Sequence, residues 1–574
     1  MVYTYPVGGR VDRPVERNRH AGRLDMSGRS RSARLAVLVA AVGLVTMVTT
    51  GVTADAAAGA PGQTDRAAAA ARLNLLVPQP VLVRPSATAP YRITPATAVW
   101  VPAGSAEARA VGEQLAGLLR RSTGYPLPVW EKPAGSVAAI GPGIELRLAG
   151  LAGLGDEGYQ LDAAPGGVVI RAAAPAGLFH GVQTLRQLLP PAAESDRRQP
   201  GPWLVPAGHV VDHPRYAYRG AMLDVARHFF GVADVEHYID EISLYKINYL
   251  LHLSDDQGWR IAIDGWPRLA SYGGGTEVGG GPGGYYTQGQ FRQLVAYARA
   301  HFVTIVPEID GPGHTNAALA SYAELNCDGV APPRYTGIDV GFSSLCVSKP
   351  VTYTFLRDVL DQLARLSPGP YLHIGGDEAH STRAADYATF EGRELPIVAD
   401  TGKAAMAWHD IAKVNPPTST VLEFWGTTGS DQPTAAAAAR GNRVVMAPAN
   451  RAYLDQKYDP STRLGLNWAG YIEERDAYDW DPGSYLGGVT GPSVLGVEAP
   501  LWSETLVTMA NIEYLAFPRL PAIAELGWSP RATHDWNSFA ERLGAQGPMW
   551  TVMGINFHAS PQVPWAPGTR GGTD

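Results

Sequence analysis

Y-L-H-I-G-G-D-E, residues 371–378, reads as a short strand that runs into two glycines and then presents two adjacent carboxylates. Apolar runs of similar length lie on both sides of it, at 221–225, 249–253, 303–307, 404–407, 421–424, 444–447 and 494–497. Between several of them the period changes to that of a helix, at 232–245, 287–300, 352–366 and 433–440. Strands alternating with helices predict parallel βα units, and eight strands over about 300 residues suit a (β/α)8 TIM barrel. A doubly wound sheet would give the same alternation but would face fewer strand ends into one crevice.

The residues just past these strand ends are polar or aromatic: Arg227, Asp255 with Asp256, Asp310 with His314, Asp377 with Glu378, Trp408, Trp425, Tyr453 with Asp455, and Trp502 with Glu504. Barrel chemistry sits at the C-terminal ends of the strands, so these groups are expected to converge on one mouth. Neighbouring Cα atoms are about 3.8 Å apart, which prevents Asp377 and Glu378 from flanking a glycosidic bond as two opposed acids. Conventional glycosidases hold their carboxylates roughly 5–5.5 Å apart when retaining and 6.5–9.5 Å when inverting. Adjacent acids suggest instead that one donates a proton while the other stabilises something on the same substrate. Trp408, Trp425, Trp468 and Trp502 sit in polar or glycine-containing segments, where flat aromatic faces suit the C–H faces of a sugar.

Around this core the chain divides into a basic and apolar leader (1–56), an Ala-rich linker (57–75), a small α+β supporting domain (76–210), the barrel (215–550) and a tail (551–574). Eight arginines before residue 35, an apolar run at 35–48 and A-D-A at 54–56 make a secretory signal, so the protein is expected outside the cell. Fourteen apolar residues are too few to span a bilayer comfortably, so no stable membrane association is expected. Removing the leader takes away eight arginines and four acids, which moves the net charge from −7 to −11. An acidic chain carries no electrostatic footprint for nucleic acid. With 45% hydrophobic and 18% charged residues, the rest can build a sizeable core. In an exported chain the two cysteines, Cys327 and Cys346, are expected to pair in one disulfide. No ligand spacing for a metal is present, and no cofactor is implied.

Residues 215–528 resemble the catalytic barrel of glycoside hydrolase family 20. The resemblance rests on R-G-A-M-L-D-V-A-R-H-F (219–229), L-H-L-S-D-D-Q-G-W-R (251–260), V-P-E-I-D-G-P-G-H (306–314), H-I-G-G-D-E (373–378) and G-V-E-A-P-L-W-S-E (496–504). It is similar in type to the secreted streptomycete enzymes, and it implies an exo-acting β-N-acetylhexosaminidase that takes glycans or chitin oligosaccharides ending in GlcNAc or GalNAc. It also implies substrate assistance, in which the 2-acetamido oxygen attacks C1 and forms an oxazolinium ion. Glu378 is then the general acid and base, Asp377 orients the acetamido group, and Tyr453 binds its carbonyl. Trp408, Trp425 and Trp502 enclose the methyl group, Arg227, Asp455 and Glu504 bind ring hydroxyls, and Trp468 borders the leaving group. Asp255, Asp310 and His314 support the acids.

One stretch departs from the family pattern. N-x-x-H-x-H before the S/T-D-D is here N-Y-L-L-H-L-S-D-D (248–256), one residue shorter and without the first histidine. Counted back from Asp255, His252 keeps its place, so a shift is expected at the start of the strand and its seam with the preceding helix. Three other readings stay open on the residues alone: a conventional retaining glycosidase with an enzyme nucleophile, a silent sugar-binding protein, and a metal hydrolase.

Overall fold

The computed structural model describes residue 67 and residues 70–133 and 143–574. The expected leader and most of the Ala-rich linker lie outside the described residues. Within the linker's last residues a short 3-10 turn, Arg72–Asn74, already buries Leu73.

The first layer is a seven-stranded mixed sheet made of β1 (Leu82–Pro85), β2 (Ala98–Pro102), β3 (Val129–Lys132), β4 (Gly143–Leu148), β5 (Tyr159–Ala164), β6 (Gly167–Ala172) and β7 (Gly208–Asp212). Their order across the sheet is β1-β7-β5-β6-β4-β2-β3. Strands β5 and β6 alternate buried and half-buried positions, the period-two pattern of a sheet with one covered face. Helices α1 (Ala106–Thr123) and α2 (Pro175–Leu188) cover it. Ser105 caps α1 by accepting from the Ala108 N–H, and Gly124 ends the helix at φ 73°, a conformation that costs glycine nothing.

The second layer is a closed parallel barrel of eight strands. They are β8 (Tyr218–Leu223), β9 (Tyr249–His252), β10 (Thr304–Gly311), β11 (Tyr371–Gly375), β12 (Ala404–Trp408), β13 (Val421–Phe424), β14 (Val444–Met446) and β15 (Val494–Leu501). All eight expected strands are present, and β15 pairs with β8 from Tyr218↔Gly496 to Leu223↔Leu501 to close the ring. Helices α3 (Val232–Leu244), α4 (Gln288–Ala300), α5 (Pro350–Leu366), α6 (Ala384–Asp400), α7 (Gln432–Arg440), α8 (Met509–Ala516) and α9 (Arg519–Trp528) belong to the outer ring. A last helix, α10 (Gly547–Met553), runs across residue 550, and the chain beyond it packs Phe557 and Trp565 against Trp550. Among the described residues no helix is long and apolar enough to cross a membrane.

The two layers are joined by buried charge. Lys246 donates to Asp212 at 2.9 Å, and Arg219 donates to Glu157. Both cations also lie over the Trp528 ring, at 4.6 and 4.9 Å from its centroid.

The register of β9 changes between its start and its end. Tyr249 pairs with Gly220 on one side and Thr304 on the other, and Asn248 is held by Arg219 through Asn248 N–H to Arg219 C=O at 2.9 Å. The shortfall is taken up inside the strand. Leu250 faces Ile305 and His252 faces Glu308, so two steps of β9 span three steps of β10. Leu251, between them, sits at φ 138°, where a branched side chain is strained. The start of β9 is thus one residue out of step with its end, and His252 stands opposite Glu308.

Candidate active site

Gly375 and Gly376 turn the end of β11 at φ 68° and 96°. A Cβ on Gly375 would stand 1.8 Å from Asp310 Oδ1, so only glycine lets β11 pass this close to β10. The Gly376 N–H donates to the same oxygen at 3.1 Å, which fixes the turn to Asp310. Glu378 follows at φ 44°, a strained value for a non-glycine residue, and its side chain stays 28% exposed while that of Asp377 is 12% exposed. The turn thus separates one accessible acid from one enclosed acid.

His314 binds the acids together. Its Nε2 lies 3.3 Å from Glu378 Oε2 and 3.7 Å from Asp377 Oδ2, and its Nδ1 lies 3.3 Å from Asp255 Oδ1. Burial disfavours the imidazolium, but Asp255 and Asp377 outweigh it and hold His314 well above the usual histidine range. Burial pushes Asp377 up to about 6 against the pull of His314. Asp310, buried beside Asp377, is raised well above the carboxylate range by burial and by that neighbour's charge. Asp256 links this group to the following loop: its Oδ2 lies 4.0 Å from His314 Nδ1, while its Oδ1 accepts from Ser343 Oγ at 2.6 Å and from the Asn316 N–H at 2.8 Å.

Five aromatic rings from the barrel's strand ends and loops form a continuous chain. Trp408 meets Trp502 at 5.8 Å between centroids, Trp502 meets Tyr453 at 6.2 Å, Tyr453 meets Trp468 at 5.9 Å and Trp468 meets Trp425 at 5.9 Å. Trp408 and Tyr453 are buried, whereas Trp468 is 47% exposed and marks the outer rim. Trp408 Nε1 donates to Glu308 at 2.9 Å and Trp425 Nε1 to Asp410 at 3.2 Å, so two of the indoles are fixed in orientation. Burial raises the Tyr453 hydroxyl well above its ordinary pKa, helped by the charges of Glu423, Asp377 and Asp455, so it remains a neutral donor.

Arg227 is buried, pairs with Asp255 at 2.7 Å and Asp224 at 3.6 Å, and stacks 4.7 Å over Trp502. Burial and the Glu504 charge push Asp455 up to about 8, and burial lifts Glu504 to about 7 although Arg227 opposes it. Asp455 Oδ1 is buried without a hydrogen-bond partner, an acceptor left for something outside the chain. Cys327 and Cys346 form a disulfide. The loop it closes touches the acid turn, where Ser381 Oγ donates to the Gly341 carbonyl at 2.8 Å.

The profile of "Glycosyl hydrolase family 20, catalytic domain" matches residues 216–531, and that of "Glycosyl hydrolase family 20, domain 2" matches 74–213. The chain belongs to glycoside hydrolase family 20. A β-N-acetylhexosaminidase of Cellulomonas fimi is 42% identical over 499 residues, covering 87% of this chain and 98% of the relative. The solved family 20 β-N-acetylhexosaminidase of Streptomyces coelicolor A3(2) superposes with a TM-score of 0.83 at 57% identity, covering 86% of this chain and 99% of its own. A Streptomyces plicatus β-hexosaminidase, solved with the product GlcNAc, gives 0.83 at 58% identity, with 86% and 98% covered. This family 20 chain is a glycoside hydrolase, an exo-acting β-N-acetylhexosaminidase.

Beneath the family 20 pocket runs a ladder that the sequence reading missed. His252 Nε2 lies 3.2 Å from Asp255 and its Nδ1 2.7 Å from Glu308; Glu308 lies 3.0 Å from His373, whose Nε2 lies 3.5 Å from Glu423. Burial opposes the charge on His252 and His373, but Glu308 raises both to about 10. The available signal was the period of two that puts Glu308 and Asp310 on one face of β10. Nearer the acid turn, five residues converge in two overlapping sets, Asp255 with Asp256 and His314, and Asp310 with His314 and Asp377, with the ligand atoms of each set within 4.8 Å of one another. In both sets His314 is the cation that the acids share.

Proposed function

We propose that this enzyme removes terminal, non-reducing β-linked GlcNAc or GalNAc with the residues gathered at the barrel mouth, and that the substrate's own acetamido group is the nucleophile. Glu378, the accessible acid, protonates the departing oxygen and later takes a proton from water. Asp377 accepts from the acetamido N–H and stabilises the positive charge that grows there as the carbonyl oxygen closes on C1. Tyr453 donates to that carbonyl oxygen. Trp408, Trp425 and Trp502 confine the methyl group and exclude water. Arg227, Asp455 and Glu504 hold the ring hydroxyls, and Trp468 flanks the leaving group. Asp255, Asp310 and His314 orient the two acids.

The observation that carries this reading is the chain of aromatic rings, whose Tyr453 feels the charge of Asp377, together with an acid pair too close in sequence to act from opposite sides of a sugar. A conventional double displacement needs a second opposed carboxylate; an enclosed acetamido group needs these rings. The N-terminal sheet is a support, tied to the barrel through Lys246 and Asp212. The basic and apolar leader marks the enzyme for export, where chitin oligomers and glycoprotein glycans are available.

Initial rates on an aryl β-N-acetylglucosaminide and on the matched aryl β-glucoside test the proposal. Rapid cleavage of the first with almost none of the second is expected. Comparable rates would overturn acetamido participation and point to an enzyme nucleophile.

A further inference from the structure

Far from the mouth chemistry, three side chains meet on the outside of the barrel. His237 and Glu241 lie one turn apart on α3, and Glu513 comes from α8. His237 Nε2 is 2.9 Å from Glu513 Oε1 and 3.3 Å from Glu241 Oε1. One imidazole nitrogen carries at most one proton, so it can donate to only one of two carboxylates. Glu513 takes the better-placed position, and its other oxygen accepts from the Asn556 N–H at 2.8 Å. Glu241 is left over. It is 1% exposed, its Oε1 points at the same nitrogen, and neither of its oxygens has a hydrogen-bond partner. A buried carboxylate without a donor costs several kcal/mol unless a positive charge compensates it.

The three ligand atoms lie within 4.8 Å of one another. Zinc bonds of about 2.0–2.2 Å to nitrogen and oxygen in a tetrahedron place neighbouring ligands roughly 3.3–3.5 Å apart. The 3.3 Å separation of Nε2 and Glu241 Oε1 fits that edge and is long for a hydrogen bond. The 2.9 Å separation to Glu513 needs only a small opening. His237 is 47% exposed and leaves a route in from solvent.

We propose that His237, Glu241 and Glu513 form a structural binding site for a divalent transition cation, with Zn2+ the fitting probe. The helices it joins follow β8 and β15, the two strands that close the barrel, so the cation would pin the outside of the closing seam. It would neutralise Glu241, supply the missing partner, and take no part in hydrolysis.

The test starts from full-length enzyme stripped with a chelator and titrated with Zn2+ alone. Calorimetry should show one equivalent bound, with a rise in Tm and an unchanged rate on the aryl N-acetylglucosaminide. His237→Ala, Glu513→Gln and Glu241→Gln should each weaken binding by roughly tenfold or more while the metal-free rate stays at the wild-type value. Glu241→Gln keeps the size and shape of the side chain, so a metal-free Tm close to that of the wild type shows that the variant folds and its lost affinity reports on the site. Absence of a saturable equivalent overturns the site. So does zinc that binds equally to the His237→Ala protein and inhibits hydrolysis, because that zinc would sit on the acids of the mouth.

Discussion

Nε2 of His314 lies 3.3 Å from Oε2 of Glu378. That single contact joins the proton donor to a cation that also faces Asp377 and Asp255, so one side chain touches both working acids. Asp377 must be ionised to stabilise the acetamido charge, and activity is lost as pH falls through its pKa of about 6. Burial raises that value and His314 lowers it, so removing the cation raises it further. His314→Asn is therefore expected to move the acid limb of kcat/KM to higher pH and to lower kcat by roughly 10²-fold. A pH–rate profile of the two proteins measures both. An acid limb that stays in place would separate Asp377 from that limb.

Glu378→Gln keeps the shape of the side chain and removes the proton. The loss in rate should be large, about 10³-fold, for an aryl substrate with a poorly acidic leaving group, and should shrink as the leaving group becomes more acidic. Rates across a series of substituted aryl N-acetylglucosaminides give the slope. A slope equal to that of the wild type would remove Glu378 from the role of acid.

Lys246 is expected to matter for stability rather than chemistry. It is buried against Asp212, which also accepts from the Tyr159 hydroxyl at 2.8 Å. Lys246→Met leaves a buried carboxylate without its cation and should cost about 3–5 kcal/mol. Denaturant unfolding should show it as a lower midpoint, with kcat of the folded enzyme little changed.

Opening the Cys327–Cys346 bridge frees a loop of 19 residues' separation. Replacing both cysteines by serine should cost about 3 kcal/mol through the entropy of the unfolded chain. Thermal unfolding under oxidising conditions, compared with the wild type treated with a reductant, checks this. Reduction should bring the wild type close to the double variant.

The barrel was legible because each strand is a short apolar run that ends in a polar residue, and those ends also drew attention to Asp377, Glu378 and Tyr453. The same rule hid other residues. β10 was expected to stop at 307, but it continues through Glu308 and Asp310 to Gly311. A charged residue looks like the end of a strand until a partner on a neighbouring strand, here His252 or His373, shows why it can be buried. β15 likewise runs past Glu498 to Leu501, because Tyr218 donates to that carboxylate from the neighbouring strand. Leu251 was hidden for another reason. The missing residue could be counted, but where the chain would stretch depends on which of its two ends is held more firmly, and that is a property of the packed barrel.

The stretched backbone at Leu251 makes the second strand behave as an expansion joint. Length can be lost on the lower side of the barrel while the upper side, from His252 onward, keeps its alignment. For an engineer this marks the floor beside Leu250 as a place where residues can be added or removed to tune rigidity. The catalytic rim then acts as a fixed datum from which the rest of the strand is measured.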